Sequence, residues 1–496
     1  MMGGFPQYDD FDAAGLAQLV RRREVSPREL LHEALERCSR VNPRLNAVIH
    51  LMEAEAEAAA AAAIDSAQPL AGVPFLAKDL GPPLAGAPLT SGSRLFANYV
   101  PAEDGELMKR FKSAGFVIFG KTNVPEFGLV PVTEPELFGP SRNPWDLNRT
   151  PGGSSGGAAA AVAAGIVPVA HASDGGGSIR IPASCCGLFG LKPSRGLNPR
   201  VAQAQTITED FGVDHVLSRS VRDSAAVLDA ICNPVNPGFL AGLEAPPRRL
   251  RIGAVRSAML GKTVEPRVRA ALDGAAALLE GLGHEVEYAG PEVDYDEFRA
   301  AFLTCWAINA RQVLDSAAQS LGRQVRRTDV ELGTWRLAAA GGVMAATDKE
   351  RARRALWKAA KAYTAFFNRY DILMSPVLAA PPLRIGENRI TAGEKLLMLI
   401  VKATQSPWLM KALMHALAAK SFAFAAFTAP FNMTGQPAMS VPLFWTPDGL
   451  PIGIQFAAKL GADGLLLRLA RQIEIERDWK PRRPPVWAGE RVQEAA

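Results

Sequence analysis

Short apolar runs of strand length alternate with helical segments along this chain, and that alternation limits the fold more than any other feature. Three runs of strand character come first: GVPFLAK (72–78), FVIFGKTN (116–123) and VPVAHASD (167–174). Two segments of helical character lie between them: Glu106–Ser113 and the small-residue segment Ala158–Ala164. The pattern returns further along in RLRIGAV (249–255), Pro266–Leu282 and HEVEY (284–288). Strands that alternate with helices indicate an α/β fold, with helices on both faces of a central sheet.

Three parts of the chain depart from this alternation. Residues 1–70 are predicted to be a helical segment that packs on the core. Residues 297–370 are strongly helical, and residues 393–420 are rich in leucine and methionine at helical spacing. Because no flexible linker flanks either of these later segments, we interpret them (about 297–420) as helical insertions into one domain over residues 71–490.

The composition is that of a folded protein and excludes several functional classes. Hydrophobic residues make up 48% of the 496 residues and charged residues 21%, a balance that disordered chains lack. The net charge of +5 is scattered, so the sequence predicts no nucleic-acid partner. The five cysteines form no CxxC or Cys/His ligand pattern, which predicts no metal site and favours a reducing compartment. Residues 1–12 lack a secretory signal pattern and the longest apolar run is too short to span a bilayer, so we expect a cytoplasmic protein.

Two clusters rich in glycine and serine carry the most information about chemistry. They are TPGGSSGG (150–157) and DGGGSIR (174–180), with one predicted helix and one predicted strand between them. Glycines allow backbone N–H groups to converge on a small volume, which binds either a phosphate or an oxyanion. The phosphate-binding patterns GxxxxGK[ST] and GxGxxG are absent from both clusters. Tight turns and helix caps are the structural alternative for either cluster taken alone.

The first cluster also satisfies GxSxG, the nucleophile-elbow pattern of α/β-hydrolases, through Gly152–Gly156. That pattern requires an acidic residue and then a histidine later in the chain, for which His284 and His415 are the candidates. His284 lies at a predicted helix–strand turn and His415 in a Leu- and Met-rich helix, where histidines are more often packed or solvated than catalytic. An elbow also follows a strand directly, whereas RNPWDLNRTP (142–151) is turn-like, so this alternative is the weaker one.

Considered together, the clusters resemble the signature of the amidase signature family, which is GGSSGG followed at fixed spacing by D-x-G-G-S-I-R. The matching residues here are Gly152–Gly157 and Asp174–Arg180, and the family's lysine-bearing strand matches Gly72–Lys78. Further similar segments are GKTNVPEFG (120–128), RNPWD (142–146), FTAPFNMTGQPAMSVP (427–442) and GLPIGIQF (449–456). The resemblance covers residues 10 to 485 and implies a single α/β domain with a central mixed sheet.

The resemblance also implies a hydrolase with the triad Ser178, Ser154 and Lys78. Ser178 attacks the amide carbonyl and becomes acylated, and Ser154, which follows a cis peptide bond, relays the proton between Ser178 and Lys78. Lys78 must be neutral to accept a proton, and burial after the apolar residues 75–77 would lower its pKa.

Other residues of the two clusters have supporting roles in this interpretation. The oxyanion hole is expected from the backbone N–H groups of four consecutive residues: Gly175, Gly176, Gly177 and Ser178. The loops are expected to be held by hydrogen bonds and an ion pair from Ser155, Asp174 and Arg180. The family chemistry implies no cofactor.

Three segments are most similar to those of nylon-oligomer hydrolases of the family: 133–147, 178–196 and 427–442. We therefore predict an amidase whose partner is a small-molecule substrate, namely an apolar, aryl or oligomeric amide, linear or cyclic, or a carbamate. The glutamine-hydrolysing component of a tRNA amidotransferase, which works bound to partner chains, is the alternative. The residues predicted to line the substrate pocket are Cys305, Met398 and Met414, and the chain is compatible with a homodimer.

Residues 393–420 are open to three interpretations. An apolar block (396–400) precedes Ser406-Pro407, and leucines and methionines at helical spacing follow it (409–417). The segment is a pair of core helices, a membrane-surface element, or a lid over the acyl pocket. The few lysines disfavour the membrane, and methionine is typical of surfaces that accept varied apolar groups.

Overall fold

The computed structural model of the protein describes residues 5–62, 65, 67–199, 211–235, 237–394 and 406–489. The strands are β1 (Val48–Leu51), β2 (Pro74–Lys78), β3 (Val117–Thr122), β4 (Val169–Asp174), β5 (Phe189–Lys192), β6 (Val213–Ser218), β7 (Arg251–Ala254), β8 (Glu285–Glu287), β9 (Ile372–Pro376), β10 (Ala438–Trp445) and β11 (Pro451–Ala458). The α-helices are α1 (Ala13–Arg21), α2 (Pro27–Leu45), α3 (Glu53–Ala61), α4 (Glu106–Ser113), α5 (Gly156–Ala163), α6 (Arg180–Cys186), α7 (Val221–Ile231), α8 (Pro266–Gly281), α9 (Tyr295–Leu321), α10 (Leu332–Gly342), α11 (Ala346–Phe367), α12 (Pro407–Phe424), α13 (Pro430–Thr434) and α14 (Asp463–Glu476).

Within these ranges, eleven strands form one sheet in the order β1-β3-β2-β4-β6-β5-β10-β11-β9-β7-β8. β2 is parallel to β3 and β4, whereas β4 and β6 are antiparallel, so the predicted mixed sheet is confirmed. Lys78 is the last residue of β2 and Asp174 the last residue of β4. Because the carboxyl ends of neighbouring parallel strands meet at one edge of a sheet, these two residues lie at the same edge.

Helices cover both faces of the sheet, as predicted. Successive side chains of a strand point to opposite faces, and β2 illustrates the result. Phe75 and Ala77 belong to a buried cluster that includes α4, whereas Leu76 belongs to a different cluster that includes α5. Val169 and Ala170 of β4 divide between the same two clusters. The core is therefore two apolar layers, one on each face of the sheet.

The segment predicted to be helical, residues 1–70, contains one strand besides its helices. α1, α2 and α3 are present, but β1 lies between α2 and α3 and pairs antiparallel with β3 at the edge of the sheet. Asn46 ends α2 in the left-handed conformation, and the Asn42 side chain accepts the backbone N–H groups of Ala47 and Val48. These contacts turn the chain into the strand, so this segment is built into the sheet as well as packed on it.

The segments predicted as helical insertions contain α9, α10, α11 and α12. α9 packs against α10 and α11, and α12 contacts α9 and α10. α12 begins after Ser406, whose side chain accepts the backbone N–H of Leu409, so the predicted interruption is the start of a helix. Residues 395–405 lie outside the described residues, and the prediction for Met398 falls there. No helix in the described part of the chain is both long and apolar enough to cross a membrane.

Candidate active site

Lys78 is held inside the protein by polar contacts at its Nζ atom. Nζ donates hydrogen bonds to Ser154 Oγ at 2.7 Å and to Ser173 Oγ at 2.9 Å. Ser173 belongs to β4, the parallel neighbour of β2, so the sheet itself brings Lys78 and Ser173 together. Only 1% of Lys78 is exposed to solvent.

Burial lowers the pKa of Lys78 to about 7, because an ammonium group loses its hydration inside a protein. The carboxylates of Asp214 and Asp174 act in the opposite direction, since they stabilise the charged form. Asp214 is placed by a histidine: the Lys78 backbone N–H donates to His171 Nδ1 at 3.3 Å, and His171 Nε2 lies 3.1 Å from Asp214 Oδ1. The balance gives Lys78 a large neutral fraction near neutral pH, as a general base requires.

Ser154 is fixed by the loop that precedes α5. The peptide bond between Gly153 and Ser154 is cis, which confirms what the resemblance implied. A Cβ atom at Gly153 would lie 2.7 Å from the backbone nitrogen of Val132, so the loop has no room for a side chain there. Ser155 Oγ donates to the Ser173 carbonyl at 3.2 Å and ties the loop to β4, as predicted.

Ser178 lies in the loop between β4 and α6 and is partly exposed on the wall of a cavity. Gly177 in the same loop has a φ of +132°, and a Cβ atom there would lie 2.2 Å from Thr428 Oγ1. Both the backbone conformation and the lack of space therefore require glycine at this position. Thr428 Oγ1 donates to the Gly176 carbonyl at 2.6 Å, which fixes the orientation of the neighbouring peptide group.

The Asp174 carboxylate accepts hydrogen bonds from the backbone of this loop, including one from Gly177, a predicted oxyanion donor. The Gly177 N–H donates to Asp174 Oδ1 at 2.6 Å, and the Ile179 N–H donates to Oδ2 at 3.2 Å. The structure therefore corrects the predicted oxyanion set, because the Gly177 N–H is already bound to a carboxylate. The candidate donors that remain are the N–H groups of Gly175, Gly176 and Ser178.

Arg180 is fully buried and forms the predicted ion pair with Asp174, with Nε to Oδ2 at 2.9 Å. Its other N–H groups donate to the Thr428 carbonyl, Gln455 Oε1 and Asn432 Oδ1 at 2.7–2.8 Å. Burial alone would raise the pKa of Asp174, but the charge and hydrogen bonds of Arg180 hold it at about 2. Asp174 is thus ionised at neutral pH and anchors the loop between β4 and α6.

A cavity of about 250 Å³ has Ser178 on its wall. Most of the lining is apolar and comes from the helical insertions, for example from Phe302, Trp306, Leu337, Met414 and Phe422. Trp306 is held in place by a hydrogen bond from its Nε1 to the Leu129 carbonyl at 3.2 Å. The side chains of Phe302 and Trp306 stack with their centroids 4.9 Å apart. The cavity can therefore hold an apolar chain or an aromatic ring next to Ser178.

Of the residues predicted to line the substrate pocket, Met414 lies on the cavity wall and Cys305 does not. α12 turns one face to the cavity, with Met410, Met414 and Leu417 on its wall, and Met414 lies where it was predicted. Cys305 does not line the cavity among the described residues: it is fully buried in the main hydrophobic cluster, so the prediction for it is wrong. On α9 the positions that face the cavity are 302, 303 and 306, and residue 305 is rotated away from them into the core.

The two histidines required by the nucleophile-elbow alternative do not contact Ser154. His284 Nδ1 accepts the Leu250 backbone N–H at 3.2 Å, and its Nε2 lies 3.0 Å from Gln472 Oε1. His415 is exposed on the side of α12 away from the cavity. Ser154 Oγ is instead bonded to a lysine, which favours the family interpretation.

Sequence reasoning missed several residues that hold the site together: Ser173, Thr428, Asn432, Trp306 and His171. Thr428 and Asn432 lie in the segment FTAPFNMTGQPAMSVP (427–442), which the resemblance picked out without giving its residues a role. Their distance in sequence from residue 178 leaves no local signal for the contact.

Comparisons with known proteins agree with this geometry. The family model described as Amidase matches residues 29–467. A 6-aminohexanoate-cyclic-dimer hydrolase of Pseudomonas sp. (strain NK87) is 36% identical over 497 residues, which cover 95% of this chain and 96% of the relative. The solved structure of 6-aminohexanoate cyclic dimer hydrolase complexed with substrate has a TM-score of 0.87 and 34% identity, and covers 96% of this chain and 99% of that one. A bacterial aryl acylamidase of known structure has a TM-score of 0.80 and 26% identity, over 95% of this chain and 96% of that one. The protein is an amidase, a hydrolase of amide C–N bonds, and belongs to the amidase signature family.

Proposed function

We propose that the protein hydrolyses amides through an acyl-enzyme on Ser178, with Ser154 as the proton relay and Lys78 as the base. The observation that carries the proposal is the 2.7 Å hydrogen bond between Ser154 Oγ and a buried lysine whose pKa lies near 7. A lysine in that state accepts a proton at neutral pH, as acyl transfer to a serine requires.

The proposed reaction has two steps. Ser178 Oγ forms a bond to the substrate carbonyl carbon while its proton passes through Ser154 to Lys78, and the C–N bond breaks as the leaving amine takes that proton. A water molecule then attacks the acyl-enzyme, gives its proton to the same relay and releases the acid with Ser178 restored. In both steps the developing oxyanion is stabilised by the N–H groups of Gly175, Gly176 and Ser178.

The proposed substrates are apolar, aryl or oligomeric amides, with carbamates as a further class. The apolar lining of the cavity supports this class, because binding an apolar acyl group removes its surface from water. The names of the relatives, a cyclic-dimer hydrolase and an aryl acylamidase, support it independently. Free glutamine carries an ammonium and a carboxylate close together, and the same lining disfavours it.

A labelling experiment tests the assignment of the nucleophile. A fluorophosphonate probe should modify Ser178, as located by peptide mass spectrometry, and Ser178→Ala should abolish both labelling and hydrolysis of hexananilide. Ser39→Ala on the exposed side of α2 is the control and should retain both activities. Labelling of Ser154 with Ser178 unmodified would falsify the assignment and favour the nucleophile elbow.

Two further proposals concern the environment of the protein. We place it in the cytoplasm, which the five free cysteines, all of them buried, support. A homodimer stays a prediction, and light scattering on the eluted peak of a gel-filtration column measures the mass that decides it.

A further inference from the structure

Two side chains on the wall of the cavity that holds Ser178 each carry a polar atom without a hydrogen-bond partner in the described part of the chain. Arg336, on α10, and Asn388, in the chain between β9 and α12, both line this cavity. Arg336 Nε and Asn388 Oδ1 are buried, and neither has a hydrogen-bond partner among the described residues. The two segments touch, since a Cβ atom at Gly333 would lie 3.8 Å from Ile390 Cδ1. An unsatisfied donor and an unsatisfied acceptor therefore belong to two side chains that line one mostly apolar cavity.

The other charged groups on the same wall are already bonded within the protein. Lys420 pairs with Glu394 at 3.0 Å, and Arg389 pairs with Glu134 at 3.3 Å. Glu126 accepts hydrogen bonds from Ser93 Oγ at 2.6 Å and from the Glu331 backbone N–H at 2.9 Å. Glu331 accepts the Glu136 backbone N–H at 2.7 Å. Arg336 and Asn388 differ from this set because the Nε and Oδ1 atoms have no such partner among the described residues.

A buried polar atom without a partner costs free energy, so a ligand that pairs with both atoms gains more than one that pairs with neither. A secondary amide does so, because its carbonyl accepts from the guanidinium and its N–H donates to the Asn388 oxygen. A carboxylate would satisfy Arg336 but has no hydrogen for Asn388, and it would meet Glu126 and Glu331 on the same wall. An ammonium would be repelled by Arg336. The chemistry of the wall therefore favours a neutral amide.

We propose that Arg336 and Asn388 form a second polar subsite, which binds another amide group of a substrate whose scissile amide lies at Ser178. The preferred substrates are then diamides or oligoamides in which an apolar spacer separates two amide groups. This inference rests on the proposed function, since it takes Ser178 as the reacting residue.

The test compares matched anilides that differ in one group. Hexananilide has an apolar acyl chain, N-acetyl-6-aminohexananilide adds a second amide, and adipic acid monoanilide ends in a carboxylate; homologues with four and eight carbons vary the spacer. For at least one spacer, the second amide should raise kcat/KM about tenfold over the alkyl anilide of the same length, the value of one net hydrogen bond to a charged group. Arg336→Met and Asn388→Leu should each remove that gain, mainly through KM, so that the two anilides are hydrolysed with nearly equal kcat/KM. Arg353→Met, on the exposed side of α11 and outside the cavity, should retain the gain.

A binding measurement separates failure of the subsite from failure of the proposed mechanism. Calorimetry on Ser178→Ala protein should show about tenfold tighter binding of the diamide than of hexananilide, and Arg336→Met added to that protein should abolish the difference. Equal affinity and equal kcat/KM for the two anilides would overturn the proposed amide subsite. If the enzyme still hydrolyses both anilides, the proposed acyl-enzyme mechanism on Ser178 is unaffected by that result. A preference for the carboxylate that depends on Arg336 but not on Asn388 would also overturn the proposed amide subsite. Arg336→Lys, which keeps the charge, checks that a lost preference does not come from misfolding.

Discussion

Ser154 Oγ and Lys78 Nζ are 2.7 Å apart, although Ser154 follows a loop glycine and Lys78 ends a central strand. The contact joins a buried amine to a hydroxyl, with no histidine at either atom among the described residues. The pH dependence of the enzyme should therefore be that of a lysine whose pKa burial has lowered to about 7.

Activity should rise with pH through about 7 and then reach a plateau, because only the neutral amine accepts a proton. Lys78→Met should lower kcat about 10²- to 10⁴-fold, the usual contribution of a general base. The measurement is kcat/KM of an anilide between pH 5.5 and 9, with the exposed Lys112→Met as control. A profile unaffected by the loss of Lys78 contradicts the assignment.

The same lysine should reduce stability, and the effect should depend on pH. The pKa of Lys78 is lower in the folded protein than in the unfolded chain, so between about pH 7 and pH 10 the unfolded chain binds the additional proton. Raising the pH over this range removes this proton from the unfolded chain, so the free energy of unfolding of the wild type rises. We expect Lys78→Met to be more stable than the wild type at pH 7, with a smaller difference at pH 9.5 when measured by urea unfolding. A difference that grows with pH would contradict the lowered pKa.

Thr428→Val should reduce kcat with little loss of stability, because it removes the hydroxyl that orients the Gly176 carbonyl but keeps the shape of the side chain. Loss of this hydroxyl frees the Gly176 carbonyl and lets the loop shift, which misplaces the nearby N–H donors of Gly176 and Ser178. About a tenfold loss in kcat is expected, less than the loss when a donor is removed outright. Thr434→Val is the matched control, since its hydroxyl bonds the Pro430 carbonyl of its own helix. If both variants lose activity equally, the Thr428 contact has no specific role.

Arg180→Met should destabilise the protein by about 3–5 kcal/mol, because it leaves the buried Asp174 carboxylate without its charge partner. Arg353→Met, on an exposed helix surface, should change the unfolding free energy by less than about 0.5 kcal/mol. Urea unfolding measures both values. A small loss at Arg180 would mean that Asn432 and the backbone donors alone stabilise Asp174.

Met414→Gln should change the ratio of aryl to short-chain amide hydrolysis more than it changes the melting temperature, because Met414 lines the cavity. Cys305→Ser should do the reverse, because it places a hydroxyl in the closed core. Substrate panels and thermal melts on the two variants provide the comparison. If Met414→Gln loses stability and keeps its selectivity, α12 is a packing helix and not a lid.

The sequence was most informative where the pattern is local. The strand and helix alternation around β2, β3 and β4 was predicted to within about two residues at each end, because each strand begins with a short apolar run. β1 was missed because four residues between two helices carry too little periodicity, and its formation depends on the distant edge of β3. Cys305 was misplaced because its neighbours point to the cavity, and which residues of a helix do so depends on a rotation that sequence alone did not supply.

The long-range supports of the site were not predictable for a different reason. Asn432 bonds the Asp174 carbonyl from a helix that lies 258 residues away in sequence. Such a contact depends on the pairing of β10, which directly follows that helix, with β5 in the sheet, so no property of either residue alone indicates it. The resemblance marked the segment 427–442 without giving its residues roles.

The placement of the cavity lining has a consequence for how this chain can diverge. The proposed triad comes from residues 78–178, whereas α9, α10 and α12 supply most of the lining beyond residue 295. A genetic crossover between α6 and α9 would therefore replace most of the cavity lining, which determines substrate specificity, and leave the proposed acyl-transfer residues unchanged. Thr428 and Asn432 limit this freedom, because they lie on the exchanged side and bond to Gly176 and Asp174 next to Ser178. Recombinants in this family should thus tolerate a new lining most readily when the incoming segment brings the same threonine and asparagine.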